Sequence, residues 1–478
     1  MKILSESEAE ALLARHGQSH VLAFFDTLDQ AGRESLLARI SEMDFDRIDA
    51  LRALLPRGGA GSGCGSGADS GAAEPLEPAP VATLDGAERD AAVARGEEEL
   101  RAGRVAALLV AGGQGSRLGF EGPKGCCPIG PASGEPLFFF HARKLLAKKR
   151  RYGRAVPLYV MTSEANDAAT RAFFESRGWF GLEKGDVFFF RQAMWPALSP
   201  DGKIILDGPG SVFLSPDGHG GVLSALKRSG ALDDMEARGV RHVYHFQVDN
   251  PMTDIAVPAA IGFHAAEGAD VTLLACRRLD AGEKAGMPVI RGGKCAIVEY
   301  TEFGEERMRE TAPDGSLRHA WATPSPYVFS EAFLRREAEA GLPVHLAHKK
   351  VPCVGPDGAV VKPDSPNAYK FEKFVFDALA DASCVRCLAF DREEEYSPVK
   401  NAEGAKSPAS CRAELSRKWA RWLRACGVAV PLDGAGFPVR RIEIDPAFAD
   451  SAAALRERLL APGAPRPGAD ADVILREP

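Results

Sequence analysis

The sequence predicts an α/β protein built on a parallel, doubly wound sheet. Three observations carry that reading. Short continuous apolar runs, such as Val105-Ala-Ala-Leu-Leu-Val110, have the composition of strands covered on both faces. These runs alternate with segments of helical periodicity, the order that builds parallel sheets. The chain has 478 residues, enough for roughly two to four domains at about 150 residues each.

The elements follow in order. Residues 5–55 read as helices. Leu12, Leu13, Val21, Leu22, Phe24 and Phe25 recur at helical spacing, as do Leu36, Leu37, Ile40, Met43, Ile48, Leu51 and Leu54. Pro56 breaks the pattern. Gly, Ser, Ala and Pro dominate residues 56–82, a composition that buries no core and reads as a linker. Strands are expected at 105–110, 156–161, 186–191, 242–248 and 271–276, with helices near 135–150, 163–177 and 220–230. Beyond about 425 the chain is short-patterned and interrupted by prolines. The expected organisation is a helical region 1–55, a linker 56–85, a catalytic domain 86–410 and a small C-terminal domain 411–478.

Net charge is −7, which excludes a global basic field for nucleic acid or anionic lipid. Phosphate binding must then be local. The first ten residues have no apolar signal-type core. No run of about 18 uncharged apolar residues offers a membrane span. The ten cysteines are scattered, and Cys384-x-x-Cys387 has no second pair or His at zinc spacing. A cytoplasmic chain with reduced thiols is expected.

The strand 105–110 runs into Ala111-Gly112-Gly113-Gln114-Gly115-Ser116-Arg117-Leu118-Gly119. Glycines let a backbone approach a ligand and turn N–H groups toward an anion. Arg117 and, five residues past Gly119, Lys124 add charges suited to a triphosphate. The spacing matches neither a dinucleotide fingerprint nor a Walker A loop. Taken alone, the loop fits a structural turn as well as a phosphate cradle.

The later motifs decide between them. Pro123-Lys124-Gly125, Phe190-Arg191-Gln192-Ala193-Met194-Trp195-Pro196-Ala197, Ser215-Pro216-Asp217-Gly218-His219-Gly220-Gly221, Val248-Asp249-Asn250, Val298-Glu299-Tyr300-Thr301-Glu302, Lys362-Pro363-Asp364-Ser365-Pro366-Asn367, Phe371-Glu372-Lys373-Phe374-Val375-Phe376-Asp377 and Ser397-Pro398-Val399-Lys400-Asn401 follow in order. With the glycine loop, this series resembles the eukaryotic-type UDP-N-acetylglucosamine pyrophosphorylases, within the UDP-sugar pyrophosphorylase family. The resemblance covers most of residues 5–405. It implies a Rossmann-like central domain with a helical N-terminal part and a small C-terminal appendage. The implied reaction is UTP plus sugar 1-phosphate giving UDP-sugar plus pyrophosphate.

By resemblance, Val110, Ala111, Gly112 and Gly113 contact the uridine side of UTP. Gly115, Arg117 and Lys124 hold phosphates, and Lys370 and Lys400 reach them from the far side. Gln192 reads uracil, whose edge an amide can match, and Gly218 lies against the base. Asp249 is the implied Mg²⁺ ligand. A carboxylate at a strand's C-terminal end points into the crevice of such a sheet, and Mg²⁺ takes one or two carboxylates plus phosphate oxygens. Glu299 and Tyr300 read the sugar. Each also has a plainer reading: Gln192 as a strand-end amide, Asp249 as a cap, the lysines as surface charges. Lys373 stays ambiguous, and Met194 and Trp195 read as packing. No nucleophilic side chain is needed, because the sugar phosphate is itself the nucleophile.

Two departures fall near the expected sugar site. His219 stands where the N-acetylglucosamine enzymes have Asn. Trp321-Ala322-Thr323-Pro324-Ser325-Pro326-Tyr327 replaces an Asn-containing segment and predicts a different loop. N-acetylglucosamine 1-phosphate is the leading substrate, with glucose, galactose or N-acetylgalactosamine 1-phosphate as alternatives. A non-catalytic nucleotide-sugar sensor is the rival from another class. An NAD-dependent oxidoreductase is disfavoured by the failed fingerprint. Expected partners are UTP and a sugar 1-phosphate, with no nucleic acid and no membrane, in a monomer or weak homo-oligomer.

Overall fold

The computed structural model describes residues 2–56, 76–463 and 472–476. Most of the expected linker, 57–75, lies outside the described residues. The chain divides into two compact units. One comprises 1–73, 193–221 and 342–377, and the other 74–192, 222–341 and 378–478.

The first unit is helical at its start: α1 (Glu6–Arg15), α2 (Gln30–Glu42) and α3 (Phe45–Ala53). Each begins where a side chain satisfies an orphan N–H. Ser5 and Glu8 form a capping box. Asp29 accepts from Gly32 N, and Asp44 from Arg47 N. Two short 3₁₀ turns at 19–22 and 25–27 separate α1 from α2. Leu13, Leu36, Ile40, Ile48 and Leu51 pack with Trp195, Leu198 and Phe371. Trp195 and Phe371 belong to the hairpin-like pairs 194–196 with 214–216 and 345–349 with 368–372.

The second unit opens with α4 (Gly86–Arg101). Then come β1 (Val105–Val110), α5 (Leu137–Tyr152), β2 (Leu158–Thr162), α6 (Asp167–Ser176), β3 (Val187–Arg191), β4 (His242–Gln247), α7 (Pro258–Ala266), β5 (Val271–Arg277), β6 (Trp321–Ala322), β7 (Tyr327–Ser330), β8 (Val385–Ala389) and α8 (Pro408–Ala425). Gly96 and Gly262 let α4 and α7 meet almost backbone to backbone. A Cβ at Gly96 would lie 1.8 Å from Pro258 O, and one at Gly262 1.8 Å from Ala92 O.

The sheet order is β6-β5-β7-β4-β1-β2-β3, with β8 paired to β5. The strands β4-β1-β2-β3 are parallel, as expected, and so are β5 and β8. The sheet as a whole is mixed: β7 runs antiparallel to both β4 and β5. A parallel return needs a crossover packed on the sheet face. After β5 the chain instead makes the antiparallel pair 287–291 with 294–298 and comes back through 321–327. The expected helix at 163–177 starts only at Asp167, because Ser163–Asn166 forms a side-chain-closed turn, Asn166 Oδ1 accepting from Ser163 N at 2.8 Å.

This order has a consequence for binding. From β1 the chain moves to β2 and β3 on one side, then to β4 on the other. The loops after β1 and β4 therefore diverge at the sheet's topological switch point, where open α/β sheets bind ligands. Among the described residues, no helix is long and apolar enough to cross a membrane.

Candidate active site

The loop after β1 folds back on itself. Gly115 N donates to Gly122 O at 2.9 Å and Lys124 N to Gly113 O at 3.1 Å. Its carbonyls are held from the side by one amide: Asn166 Nδ2 donates to Ala111 O at 2.9 Å and to Gly113 O at 3.2 Å. Gly112 N–H and Gly113 N–H have no protein acceptor among the described residues, so both remain available to an anion. Gly125 is required where Lys124 turns, since a Cβ there would strike the Phe138 ring at 2.2 Å. Val110 ends β1. Arg117 is exposed on the short 3₁₀ turn 116–118 and has no ion-pair partner among the described residues.

Gln192 follows β3 and donates its own N–H to Thr162 O at 2.9 Å. Its buried amide lies directly over Gly112, where an added Cβ would come within 3.1 Å of it. Lys124 Nζ reaches Asp249 Oδ2 at 3.2 Å. The two switch-point loops thus meet through one ammonium–carboxylate pair, largely shielded from solvent.

The segment leading to Lys400 is tied to the same place. Val399 N donates to Asp249 O at 2.8 Å. Lys400 N and Asn401 N both donate to Lys406 O, at 2.6 and 3.1 Å. Lys406 holds φ +57°, costly for a non-glycine residue. Burial lowers its ammonium pKa, and Glu283, Lys400, Arg392 and Asp249 all act on that charge. Sequence reasoning missed Lys406, which lies in Gly404-Ala405-Lys406 with no motif around it. Asn166 was missed too, because its role depends on where the turn before α6 lands.

Glu299 immediately precedes the short helix 300–303, and its side chain makes no capping hydrogen bond there. Burial raises its carboxyl pKa, with Lys400 opposing and Glu302 reinforcing the shift. Its Oε1 would lie 3.2 Å from a Cβ on Gly286, and Gly286 O accepts from Thr323 N at 2.9 Å. Glu299 therefore adjoins the 321–327 segment. There Ser325, between two prolines, holds φ +80°, and Arg277 covers the Trp321 ring at 4.1 Å. Tyr300 is half-buried, with Lys284 Nζ 5.8 Å from its ring.

The first unit carries Gly218, His219 and Lys370. Gly218 has φ +82°, and a Cβ on it would come within 2.4 Å of Lys373 O. Its glycine is thus demanded by the Lys373 backbone. His219 sits beside Phe374 and Phe376, at 5.4 and 5.6 Å between ring centroids. Its Nδ1 accepts from Val375 N at 3.2 Å. Burial pushes its pKa down to about 4, with Asp377 opposing. The ring is therefore neutral near pH 7, with its proton on Nε2. Lys370 lies over the Phe213 ring at 4.7 Å, and burial lowers its pKa. Lys373 Nζ lies 5.4 Å from the Trp195 ring, and burial lowers its pKa as well. Cys387 does not face Cys384; its Sγ lies 3.9 Å from Cys295 Sγ.

Comparison with known proteins identifies this arrangement. The family model described as UTP–glucose-1-phosphate uridylyltransferase matches residues 76–415. The UDP-N-acetylhexosamine pyrophosphorylase-like protein 1 of Homo sapiens is 37% identical over 452 residues, 91% of this chain and 89% of its own length. The UDP-N-acetylglucosamine pyrophosphorylase of Saccharomyces cerevisiae is 32% identical over 449 residues, 89% of this chain and 92% of its own. The crystal structure of the uridine diphosphate N-acetylglucosamine pyrophosphorylase from Trypanosoma brucei superposes with a TM-score of 0.77 at 25% identity, covering 100% of this chain and 99% of that one. The switch-point loops, the glycine cradle and these matches agree: the chain belongs to the UTP–glucose-1-phosphate uridylyltransferase family and is a nucleotidyltransferase of the UDP-sugar pyrophosphorylase type.

Proposed function

We propose that the chain joins UTP to N-acetylglucosamine 1-phosphate, giving UDP-N-acetylglucosamine and pyrophosphate. The observation that carries the chemistry is the Lys124–Asp249 pair at 3.2 Å beside the open N–H groups of Gly112 and Gly113. It sets a cation, a carboxylate and anion donors at one switch point. The sugar assignment rests on the names of the Saccharomyces cerevisiae and Trypanosoma brucei proteins.

A phosphate oxygen of the sugar 1-phosphate attacks the α-phosphorus of UTP in line. The α–β bridging P–O bond breaks, and its electrons leave with pyrophosphate. No covalent enzyme intermediate is required. The work of the protein is positioning and charge neutralisation. Lys124 and Arg117 meet the triphosphate, with the glycine N–H groups of 112 and 113; the Gly115 N–H, expected to join them, is taken by Gly122 O. Lys400 supplies a further charge, and Lys370 is a further candidate by resemblance. Lys406 is placed beside this set by its carbonyl, which accepts from Lys400 N and Asn401 N. Val110, Ala111 and Gln192 are read as uridine contacts, with Gly218 beside the base. Glu299, Tyr300 and His219 are read as sugar contacts, His219 offering one fixed donor at Nε2.

Asp249 fits Mg²⁺. It is a carboxylate at the switch point, and among the described residues no cluster of three or more His, Cys, Asp or Glu side chains offers a complete protein cage. Mg²⁺ suits one carboxylate plus substrate oxygens. When bound it would neutralise charge on the phosphates. This reading also keeps the cytoplasmic setting and a monomer or weak homo-oligomer.

The test is pyrophosphate release from UTP and Mg²⁺ with a panel of sugar 1-phosphates. N-acetylglucosamine 1-phosphate is expected to give the highest kcat/KM. A clear preference for glucose 1-phosphate would favour the second reading, which His219 and the Pro324-Ser325-Pro326 turn support. Release with none of them would defeat the enzymatic reading.

A further inference from the structure

The loop that carries Asp249 is braced from behind by two buried lysines. After β4, the carbonyls of Pro251, Met252 and Thr253 turn inward. Lys144 of α5 donates to Pro251 O and Thr253 O, both at 2.5 Å. Lys418 of α8 donates to Met252 O at 3.4 Å and to Glu394 O at 2.6 Å. Three successive carbonyls of one loop are thus met by ammonium groups from two helices.

Such burial is expensive. Removing an ammonium from water costs several kcal/mol unless its donors are satisfied. Both lysines are buried. Burial pushes the Lys144 pKa down to about 7, and lowers that of Lys418. Glu395, half-buried, is pushed up to about 7. A polar cluster of this cost needs a return. Asp254 and Asp450, which pair with Lys148, line a cavity of about 20 Å³ here together with Phe140, Leu415, Trp419 and Trp422, room for about one water. No ligand fits there, so the cluster acts through what it holds.

What it holds is the active-site backbone. Asn250 Nδ2 donates to Glu395 O at 2.7 Å, and Asn250 Oδ1 accepts from Ser397 N at 3.0 Å. Val399 N donates to Asp249 O. Lys418 bonds both strips, 252 on one side and 394 on the other. Asp249 and Lys400 are thus linked through Asn250 and Val399, with the two lysines behind them.

We propose that Lys144 and Lys418 are positioning residues, which hold the Asp249 loop and the 394–400 strip in register so that Asp249 and Lys400 face the substrate phosphates. The functional part of this rests on the uridylyl-transfer reading above. It gives α8 a role: Lys418 lies past residue 415, where the family match ends, yet supports the site.

The test uses the full chain with Lys418→Met and Lys144→Met, and Arg456→Ala as a control. Arg456 bonds Ala425 O at the far end of α8 and touches neither strip. The first readout is amide hydrogen exchange well below the melting temperature. Segments 251–255 and 396–400 are expected to exchange about tenfold faster in both lysine variants, with β1 unchanged and the control like wild type. The second is Mg²⁺ dependence. Loss of an outer support costs about 10–100-fold in metal affinity or activity, so the Mg²⁺ midpoint rises and kcat falls while KM for UTP holds within about twofold. Lys418→Arg, which keeps the charge, recovers part of both. Unchanged exchange in the two segments, or a rise spread evenly over the unit, would overturn the proposal. Should Lys418→Met fail to fold, Lys144→Met and Lys418→Arg decide by the same readouts. If wild type releases no pyrophosphate with any sugar phosphate, the functional reading fails alone, and exchange still tests the brace.

Discussion

The loop after β1 and the loop after β4 meet at Lys124 and Asp249, yet they are held by opposite means. The first is held by neutral groups: its own main chain, the glycines and the amide of Asn166. The second is held by buried ammonium groups on inward-facing carbonyls. The difference follows from what each must present. The β1 loop leaves the Gly112 and Gly113 N–H groups open to an anion, and a neutral donor on its carbonyls tethers it there without competing for phosphate. The β4 loop presents a carboxylate. Cations kept out of reach on its inner side can neutralise its carbonyls without pairing with Asp249 itself.

The largest effect should come from the point where the loops touch. Lys124→Ala removes the cation shared by Asp249 and the proposed triphosphate. A lost electrostatic donor of this kind costs about 10²–10³ in kcat. Steady-state pyrophosphate release would measure it, with melting temperature as the control for folding. Turnover within about twofold of wild type would remove Lys124 from the reaction and leave the pair a structural ion pair.

Acid should attack the β4 side next. His141 Nε2 bonds Val248 O at 3.0 Å, just before Asp249. Burial, with the Lys144 charge, pushes its pKa from 6.5 to about 3. His264 is likewise pushed to about 3, by burial and then by His242. The unfolded chain takes up these protons near pH 6.5, while the folded chain refuses them until about pH 3. Stability is therefore full above pH 6.5 and falls as pH drops through that window. Each histidine contributes about 1.4 kcal/mol per pH unit. Urea unfolding between pH 7 and 4.5 should show this fall, and His141→Gln should lessen its slope by about one proton. A slope unchanged in the variant would mean His141 is already protonated in the fold.

These two regions also mark how far the sequence could be read. The β1 loop was legible because its parts are local: glycines, Arg117 and Lys124 all lie within residues 111–124, directly after β1. Asp249 was legible as a strand-end carboxylate within a motif. The parallel strands from β1 to β4 and the Rossmann-like class followed from alternating apolar runs. The antiparallel β7 did not, since strand direction depends on a return path whose Pro-Ser-Pro turn shows only that the loop differs. Asn166, Lys144, Lys406 and Lys418 carry no motif. Lys144 and Lys418 lie more than a hundred residues from the loop they hold, and a buried lysine looks in sequence like a surface one. Gly218 was legible as a required glycine, but its cause is the Lys373 backbone.

Asn166→Ala tests the neutral tether. It frees Ala111 O, while Gly113 O keeps Lys124 N, and an unpaired buried group costs about 1–3 kcal/mol. KM for UTP should rise about tenfold, with kcat less affected because Lys124 and Asp249 remain paired. Asn166→Asp is the sharper variant, since a carboxylate cannot donate to either carbonyl and adds a negative charge beside the phosphate cradle. It should be worse than alanine. An aspartate variant with wild-type KM would show that the tether does not shape the cradle.

The smallest effect is expected at Gly112, where the β1 loop touches the proposed uracil reader. An alanine Cβ would come within 3.1 Å of the Gln192 amide, tighter than ordinary contact, but that amide is the end of a side chain and can yield. Gly112→Ala should therefore leave folding and kcat nearly unchanged and raise KM for UTP a few-fold, about 1 kcal/mol or less for a shifted neutral hydrogen bond. Combining it with Gln192→Ala, which removes the amide being displaced, should add little to the single glutamine variant, because the two act on one contact. Full additivity of the two KM effects would mean that Gly112 serves the phosphates directly through its N–H, and that Gln192 has no part in placing the base.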